Sequence, residues 1–504
     1  VGENSKGVTL KNCVNNGVAA GYGKYVGGIV GYNANGATIQ DCASYLSDYD
    51  NSVFQMITGT WKATADYAGG IAGYNNGSIN FSKDSQAVTV KSVSSIVVGN
   101  NYVGGIAGFN DISGTLDVHY TLIGGRIYGY EDCVGGGFGF NASENLLTQE
   151  LTIKPRSVQG RYYVGGCIGA NVVNLTNNIE MDKFRCDNIL GSIKGEAFCG
   201  GIIGYQRTYG SEQLAEVTES DGSGKSVFES VKANRNEAEG VKLLPGISSS
   251  NVPTKAFESS NTFTLTVSTS GNNNSKLSVE TNNVPIQADI YAGGIIGYCE
   301  SRSKLIVKNC LNNGNLTNTS GNKTVQMNHY IQAEVDNNFS NSSENPSIHL
   351  VGGIISANLE NQIIDHCSNS GSMSGYTGTG GVVGLNAGLI VNCKLDEHFG
   401  NAALNYLGGI AGINVGNSEE TVSNKTYRAI NYKTGTITKC STLSGKTISG
   451  KNNVGGIVGW NLPNATLTEN IGCANLSGTG DAVGGIAGRN SGVIEAVSYI
   501  PNGT

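Results

Sequence analysis

One eight-residue motif recurs along the whole chain, and it constrains the fold more than any other feature. It consists of a small or apolar residue, two glycines, two apolar residues, a third glycine, a variable and often aromatic residue, and usually asparagine, as in Val26–Asn33 and Val454–Asn461. A recurring motif of this kind indicates a repeat architecture. The first glycine of the twelve copies stands at positions 27, 69, 104, 135, 165, 200, 293, 352, 380, 408, 455 and 484.

The spacing of the copies predicts the kind of repeat. The closest copies lie 28 to 31 residues apart, and the shortest unit holds three apolar segments of strand length separated by Gly, Asn and Ser. So short a unit cannot bury a core alone, but stacked units place each strand beneath its counterpart. We therefore predict an all-β fold, a parallel β-solenoid (β-helix) of about 28–31-residue coils with β-rich loop insertions. Twelve coils at about 4.8 Å each would form a rod of roughly 60 to 80 Å.

Composition favours strands over helices. The chain has 74 glycines and only 14% charged residues among its 504 residues, whereas ordinary globular proteins have about 25% charged residues. Three glycines per repeat would each cost a helix about 1 kcal/mol. The composition therefore disfavours a helical repeat protein, and we predict one long domain.

The last motif position predicts a ladder of asparagine side chains. Gln206 and Cys299 replace asparagine in two copies, and Ser356 alone replaces the third glycine. Amide groups stacked coil upon coil satisfy one another, and a glycine kept in eleven copies indicates a backbone approach that a Cβ would prevent. These glycines are not a phosphate-binding loop, because no Lys-Ser/Thr follows them. The ladder comprises Asn33, Asn75, Asn110, Asn141, Asn171, Asn358, Asn386, Asn414, Asn461 and Asn490.

Aromatic residues fill the preceding motif position in seven copies, and they are our candidate ligand-contact stripe. Stacked rings on one flank would accept sugar rings or another rod. The alternative is that they pack beneath turns or insertions. The stripe comprises Tyr32, Tyr74, Phe109, Phe140, Tyr205, Tyr298 and Trp460.

Seven of the twelve cysteines follow apolar segments at what looks like one place in the repeat. In stacked coils their Cα atoms would lie about 4.8 Å apart, within the range for a disulfide, as for Cys367 and Cys393. The alternative is that each is a small buried apolar residue. No CxxC pair or HExxH occurs, so we predict no metal site, no cofactor and no catalytic residue. The seven are Cys13, Cys42, Cys310, Cys367, Cys393, Cys440 and Cys473.

Three insertions divide the repeats. We predict N-terminal coils over 1–206, an inserted β-rich side module over 207–290, and C-terminal coils over 291–504 with loops near 317–348 and 415–435. The module contains strand-like runs such as Thr262–Val267, and loops on a rigid scaffold commonly carry binding sites. The segment Asp48–Asn51 clusters oxygen ligands of the kind that bind calcium, but this signal is weak and we assign no metal to it.

The motif, the cysteine-containing strand and the short turns after it (Cys13–Gly17 and Cys310–Gly314) together resemble the GLUG-motif repeat. That family occurs in large bacterial surface proteins, including non-catalytic regions of immunoglobulin A-cleaving metallopeptidases. The resemblance implies a secreted or wall-attached bacterial protein that serves as stalk, adhesin or substrate-positioning module. The zinc motif of the peptidase is absent from this sequence, so the resemblance does not carry over that activity.

Three functions remain open. The leading one is a non-enzymatic extracellular stalk or adhesin segment that binds host or cell-surface glycan or glycoprotein. The others are an accessory region of a secreted peptidase and a β-helix enzyme acting on polysaccharide, although no pair of acids is singled out for glycoside hydrolysis. A net charge of −7 argues against nucleic acid and anionic membrane as partners. The chain starts and ends inside a repeat, so we expect a fragment of a longer exported protein, with end-to-end or lateral self-association through open strand edges.

Overall fold

A computed structural model of the chain shows a protein built almost entirely of parallel β-strands. Among the described strands all pairs but one are parallel, and successive coils of the chain lie next to each other in the two largest sheets. The all-β repeat predicted from the sequence is confirmed in this respect. The structure describes residues 1–46, 54–81, 92–118, 122–149, 151–181, 184–186, 192–209, 263–266, 285–299, 304–318, 349–359, 362–397, 405–416, 419–422, 425–428 and 435–500.

The second half of the motif forms one sheet that runs through every coil, and we call it the asparagine sheet. Its 13 strands follow one another in chain order, with the motif positions in register from coil to coil. The strands are Glu3–Asn4, Val30–Asn33, Ala72–Asn75, Ala107–Asn110, Phe138–Asn141, Ile168–Asn174, Ile203–Tyr209, Ile296–Cys299, Ile355–Asn358, Val383–Asn386, Ala411–Asn414, Val458–Asn461 and Ala487–Asn490.

The first half of the motif forms the 12-stranded glycine sheet, named for the first motif glycine at the end of each strand. These glycines pair with one another, as Gly27 does with Gly69 and Gly69 with Gly104. The strands are Tyr25–Gly27, Tyr67–Gly69, Val103–Gly104, Asp132–Gly135, Tyr162–Gly165, Ala197–Gly200, Ile290–Gly293, Val351–Gly352, Thr377–Gly380, Asn405–Gly408, Asn452–Gly455 and Val483–Gly484.

The third sheet follows the asparagine sheet in each coil and has two parts, with four and eight strands. Between them the short helix Glu144–Leu147 takes the place of a strand: it contacts the strands on both sides and buries Leu146 and Leu147. The first part is Thr9–Lys11, Thr38–Gln40, Ser78–Phe81 and Thr115–Val118. The second is Ile179–Met181, Phe263–Thr266, Leu305–Lys308, Gln362–Asp365, Leu389–Val391, Thr436–Thr438, Thr466–Thr468 and Val493–Glu495.

The fourth sheet precedes the glycine sheet in most coils and has ten strands; the coil that leads to Tyr67–Gly69 contributes no described strand, so Ala19–Ala20 pairs directly with Ser92–Gly99. The ten strands are Ala19–Ala20, Ser92–Gly99, Leu122–Gly129, Leu151–Ile153, Ser157–Gln159, Phe184–Cys186, Ile193–Lys194, Ile286–Ala288, Leu316–Asn318 and Met373–Ser374. A separate pair, Thr447–Gly450 and Asn475–Gly478, is formed in the last coils.

Short strands bridge the third and fourth sheets along the chain, and a few elements stand apart from the sheets. The only antiparallel pair among the described strands is the hairpin Glu419–Val422 and Lys425–Arg428, within the loop predicted near 415–435. A π-helix spans Met56–Trp61. In the described part of the chain no helix has the length and apolarity to cross a bilayer. The bridging strands are Val14–Asn15, Ala43–Ser44, Leu311–Asn312, Ser368–Asn369, Lys394–Leu395, Ser441–Thr442, Ile471–Gly472 and Ser498–Tyr499.

The motif glycines are required because the glycine sheet and the asparagine sheet touch backbone to backbone. A Cβ on Gly69 would lie 1.9 Å from the carbonyl oxygen of Ala72. One on Gly73 would lie 2.7 to 2.8 Å from backbone atoms of Val26 and Tyr67 in the glycine sheet and of Gly31 in the asparagine sheet. Real Cβ atoms do not approach so closely, so only glycine fits. At the one exception, Ser356 is fully buried and its hydroxyl donates a hydrogen bond to the carbonyl oxygen of Gly297.

This close contact divides the apolar residues into two clusters. The larger core takes residues from all four sheets, such as Val30, Ile39, Val103 and Ile127, and continues from coil to coil. The second cluster lies on the other side of the paired glycine strands and is mostly aromatic. The repeat therefore buries a continuous core that no single coil could form alone.

The inserted segments are described only in part. Phe263–Thr266, a predicted strand of the side module over 207–290, pairs with Ile179–Met181 and with Leu305–Lys308. This strand is thus one rung of the third sheet, because its backbone completes the parallel ladder between two coils. The rest of the module from 210 to 284, most of the loop near 317–348 and the calcium segment Asp48–Asn51 lie outside the described residues.

Candidate functional site

The aromatic residues proposed as a ligand-contact stripe are mainly buried. Phe109, Phe140, Tyr205, Tyr298 and Trp460 are each at most 4% exposed. The stripe is therefore not a docking face at these five positions, because a ring with no exposed face cannot stack on a ligand. Tyr32 and Tyr74, near the N-terminal end, are half-buried.

The reason for this burial is a second aromatic column that the sequence analysis missed. It stands two residues before the first motif glycine, and its rings pack edge-on against those of the stripe. Tyr67 lies 5.7 Å from Phe109 edge-on, while Tyr74, within the stripe, stacks on Phe109 at 4.8 Å. Such edge-to-face and offset contacts are the favoured aromatic geometries. The fixed offset from the glycines was a signal that could have revealed this column in the sequence: Tyr25, Tyr67, Tyr102, Tyr163, Phe198, Tyr291 and Tyr406.

Tyr74 makes a polar contact at the edge of the aromatic cluster. Its hydroxyl donates a hydrogen bond of 2.6 Å to Asp111 Oδ2. Burial, followed by the negative charge of Asp111, raises the pKa of the Tyr74 hydroxyl well above its usual value. Tyr74 therefore stays protonated and serves as a hydrogen-bond donor, which is a structural role.

The asparagine ladder is present along the asparagine sheet. In each step one amide Nδ2 donates to the Oδ1 of the next coil, at 2.8 Å from Asn33 to Asn75 and 2.9 Å from Asn110 to Asn141. The N-terminal run extends from Asn4 through Asn171 to Gln206, and a second run extends from Asn358 to Asn490. The ladder groups are buried up to Asn461, so they stabilise the stack rather than offer a ligand site.

The ladder is interrupted at Cys299, whose backbone pairs with that of Gln206. The Nε2 atom of Gln206 and the Oδ1 atom of Asn358, on either side of this coil, are buried without a hydrogen-bond partner. One end of the gap therefore offers a donor and the other an acceptor. Unsatisfied buried groups cost about 1 to 3 kcal/mol each.

Six of the seven grouped cysteines occupy equivalent turns, and they act as hydrogen-bonding groups there. The backbone N–H of Cys367 donates to Cys393 Sγ, and that of Cys393 donates to Cys440 Sγ, both at 3.4 Å. Burial raises the pKa of the Cys367 and Cys440 thiols. Cys42, Cys367, Cys393 and Cys440 are buried and form no disulfide in the structure, so at these turns the alternative of small buried residues agrees with the structure.

Cys473 does not belong to this column, which corrects the grouping made from the sequence. Thr438 pairs with Thr468, so the residue equivalent to Cys440 is Asn470. Asn470 Oδ1 accepts the N–H of Cys440 at 2.9 Å, as a thiol sulfur does in the other coils. The sequence analysis followed the cysteine itself and not its distance from the preceding strand.

Titratable groups do not form a metal site in the described residues: no cluster of three or more His, Cys, Asp or Glu is found there. The most perturbed histidine is His349, which is fully buried and lies edge-on to Tyr376. Burial lowers its pKa to about 4, against a smaller opposing effect of Asp289. His349 is therefore neutral at physiological pH.

The outer face of the fourth sheet carries both aromatic and polar side chains. Arg126, Tyr128 and Tyr130 alternate there with buried Ile127 and Gly129, and Gln159 lies beside Tyr128 on the next strand. None of these residues belongs to the repeated motif, which explains why the sequence analysis missed them. The period-two alternation over 126–130 was the only available signal.

The comparisons with known proteins agree with the repeat. Residues 22–44 match the GLUG motif family. This segment covers one coil, from the strand Tyr25–Gly27 to the strand Ala43–Ser44. Neither the curated proteins nor the solved structures include a match to the chain. The match supports a GLUG-repeat region, in agreement with the recurrence of the motif along the chain.

Proposed function

We propose that this chain is a non-enzymatic β-solenoid stalk with adhesive surfaces, part of a bacterial protein that acts outside the cell. The observation that carries the proposal is the asparagine sheet, in which 13 parallel strands continue from the first coil to the last. A stack of this kind is quasi-one-dimensional, since each coil contacts mainly its neighbours. Side chains and insertions on its outer faces are therefore held at fixed positions along an extended body.

The contacts between coils support a structural role as a stalk. The residues that recur along the repeat make internal contacts: the glycines allow close backbone approach, the asparagines form the amide ladder, and the aromatic residues pack in the second cluster. Each coil therefore adds hydrogen bonds and buried apolar surface to the next. Binding would then depend on residues that differ between coils, which lie on outer faces and in the insertions.

The test combines shape and adhesion. Beads that carry the chain should adhere to a surface coated with a mucin-type glycoprotein, and less so after enzymatic deglycosylation of that surface. In small-angle scattering the protein should show an elongated profile with a constant cross-section. A compact profile would contradict the stalk, and equal adhesion by beads without the protein would contradict the adhesive role.

A further inference from the structure

The outer face of the fourth sheet carries an aromatic surface that no repeat position requires. The rings of Tyr128 and Tyr130 meet at 5.1 Å edge-on, and Phe54 meets Tyr128 at 5.9 Å. The Arg126 guanidinium lies 5.3 Å from the centre of the Phe54 ring. These residues are half-buried, so each presents part of its side chain to solvent.

A local irregularity of the backbone places Tyr130 on this surface. Gly129 pairs with Gly99, and Val134 pairs with Val103. Three residues, 100–102, separate Gly99 from Val103, whereas four, 130–133, separate Gly129 from Val134. This coil therefore has one extra residue at the corner. Extra residues of this kind commonly redirect a side chain beside a functional site.

The first coil has the same longer corner. Ala20 pairs with Val98, which aligns Gly21 with Gly99, and four residues, 22–25, then precede Val26. Tyr22 occupies this corner and is 69% exposed. It lies close enough to Tyr130 to raise the pKa of the Tyr130 hydroxyl, in addition to burial and Tyr128. Two coils thus direct tyrosines toward the same region.

The neighbouring segments hold this surface in place. The Tyr130 hydroxyl donates a 2.8 Å hydrogen bond to the carbonyl oxygen of Thr58, in the π-helix. That helix packs its Ile57 side chain with Val98 in a small cluster, and Tyr128 and Tyr130 pack against this cluster. The Tyr130 ring is consequently fixed before any ligand arrives, which lowers the entropic cost of binding.

Hydrogen-bonding groups lie next to the rings. Gln159 is half-buried and pairs with Tyr128 across the strands. Arg161 bridges Glu131 at 3.2 Å and Glu196 at 3.3 Å, which orients donors and acceptors at the edge. Arg126 has no carboxylate partner in the described part of the chain, and its Nε has no hydrogen-bond partner. The Nε atom is buried and out of reach of a ligand, so a ligand would be bound by the terminal amino groups of the guanidinium.

We propose that this face, formed by Tyr22, Arg126, Tyr128, Tyr130 and Gln159, is a carbohydrate-binding site. Partly exposed tyrosine rings offer flat apolar faces for the C–H face of a sugar, while arginine and glutamine bind its hydroxyl or carboxylate oxygens. The inference rests on the proposed adhesive function and gives it a location. The proposed site lies on the outer face of the fourth sheet and does not include the buried aromatic residues of the motif.

The test is titration calorimetry of the full chain with four oligosaccharides: chitotetraose and lacto-N-tetraose as neutral ligands, and sialyllactose and tri-galacturonate as acidic ones. We expect binding of at least one, with affinity reduced at least 10-fold in each of Tyr22→Ala, Arg126→Gln and Gln159→Ala. If only acidic sugars bind, Arg126→Gln should give the largest loss, because the carboxylate would pair with its guanidinium. If neutral sugars bind equally well, Tyr22→Ala should give the largest loss.

The matched control is Arg489→Gln. Arg489 also lies over an aromatic ring, 4.6 Å from that of Trp460, but in the last coils. This variant should bind like the parent, and all variants should keep the parent circular dichroism spectrum.

Three outcomes would overturn the site: no binding of any of the four sugars, unchanged binding in all three variants, or binding to a glycoprotein that survives complete deglycosylation. Unchanged binding would leave the adhesive stalk intact and move its site elsewhere. A compact scattering profile with sugar binding lost in the variants would instead reject the stalk and keep the site.

Discussion

The break in the asparagine ladder gives the sharpest prediction: Cys299→Asn should stabilise the protein. The new side chain would stand between Gln206 and Asn358, whose facing amide groups are buried and unsatisfied. Its Oδ1 would accept from Gln206 Nε2 and its Nδ2 would donate to Asn358 Oδ1, in the direction that the rest of the ladder follows. Asparagine already fills this position in ten other coils.

The magnitude follows from the two hydrogen bonds gained. A typical hydrogen bond contributes about 0.5 to 1.5 kcal/mol net, and satisfying a stranded buried group contributes toward the upper end of this range. Two bonds therefore predict a gain of about 1 to 3 kcal/mol, reduced by any strain from fitting a slightly larger side chain. The free energy of unfolding is measured by urea denaturation, and amide hydrogen exchange around 206, 299 and 358 reports the local effect.

Cys299→Val is the matched control, because it fills the same place with an apolar side chain and cannot complete the ladder. It should show neither gain in unfolding free energy nor slower exchange at these positions. An asparagine variant no more stable than the valine variant would refute the reasoning. That result would mean that Gln206 Nε2 and Asn358 Oδ1 already have hydrogen-bond partners in solution.

Three further predictions concern the glycines, the buried histidine and the thiols. Gly73→Val should lower the thermal midpoint more than Tyr74→Ser, because a Cβ at Gly73 would lie 2.7 to 2.8 Å from backbone atoms, whereas Tyr74 is half-buried; equal losses would contradict the close-approach argument. Burial lowers the pKa of folded His349 to about 4 from its ordinary 6.5, so the free energy of unfolding should fall as pH drops from about 6.5 to about 4. The total loss should be about 3 kcal/mol, and His349→Gln should remove it in denaturation measured across this pH range. Among the described cysteines, Cys13 and Cys473 should react with a thiol reagent in the native state, since the others are buried; rapid labelling of a third would show that the turns open.

The repeat could be predicted from the sequence because its constraints are local and recur. The third glycine is needed for the same close backbone approach in successive coils, so it is present in eleven of the twelve copies. At the exception, the Ser356 hydroxyl makes a buried hydrogen bond of its own. The asparagine ladder followed from the same logic. Register fixes which residues stack, and identical residues at one offset must meet.

The candidate site could not be predicted in the same way, because it depends on what differs between coils. From the sequence, the motif aromatics were interpreted as an exposed stripe. The only sign of the second column that covers them is the fixed position of Tyr67 and its equivalents, two residues before the first motif glycine. Tyr130 reaches the surface through one added residue, which is visible only after the strands are aligned. Cys473 was misplaced for the same reason, since residue type was followed without register.

The central claim is that consecutive coils stack in one direction along the whole chain, and one distance tests it directly. Glu3 and Arg489 occupy the same column of the asparagine sheet, in its first and last strands. Twelve steps of about 4.8 Å place them about 58 Å apart. Spin labels attached at these two positions through a chemistry that spares the cysteines should give a single narrow distance near that value by pulsed electron resonance. A distance below about 40 Å, or a broad distribution, would contradict a continuous parallel stack with this spacing.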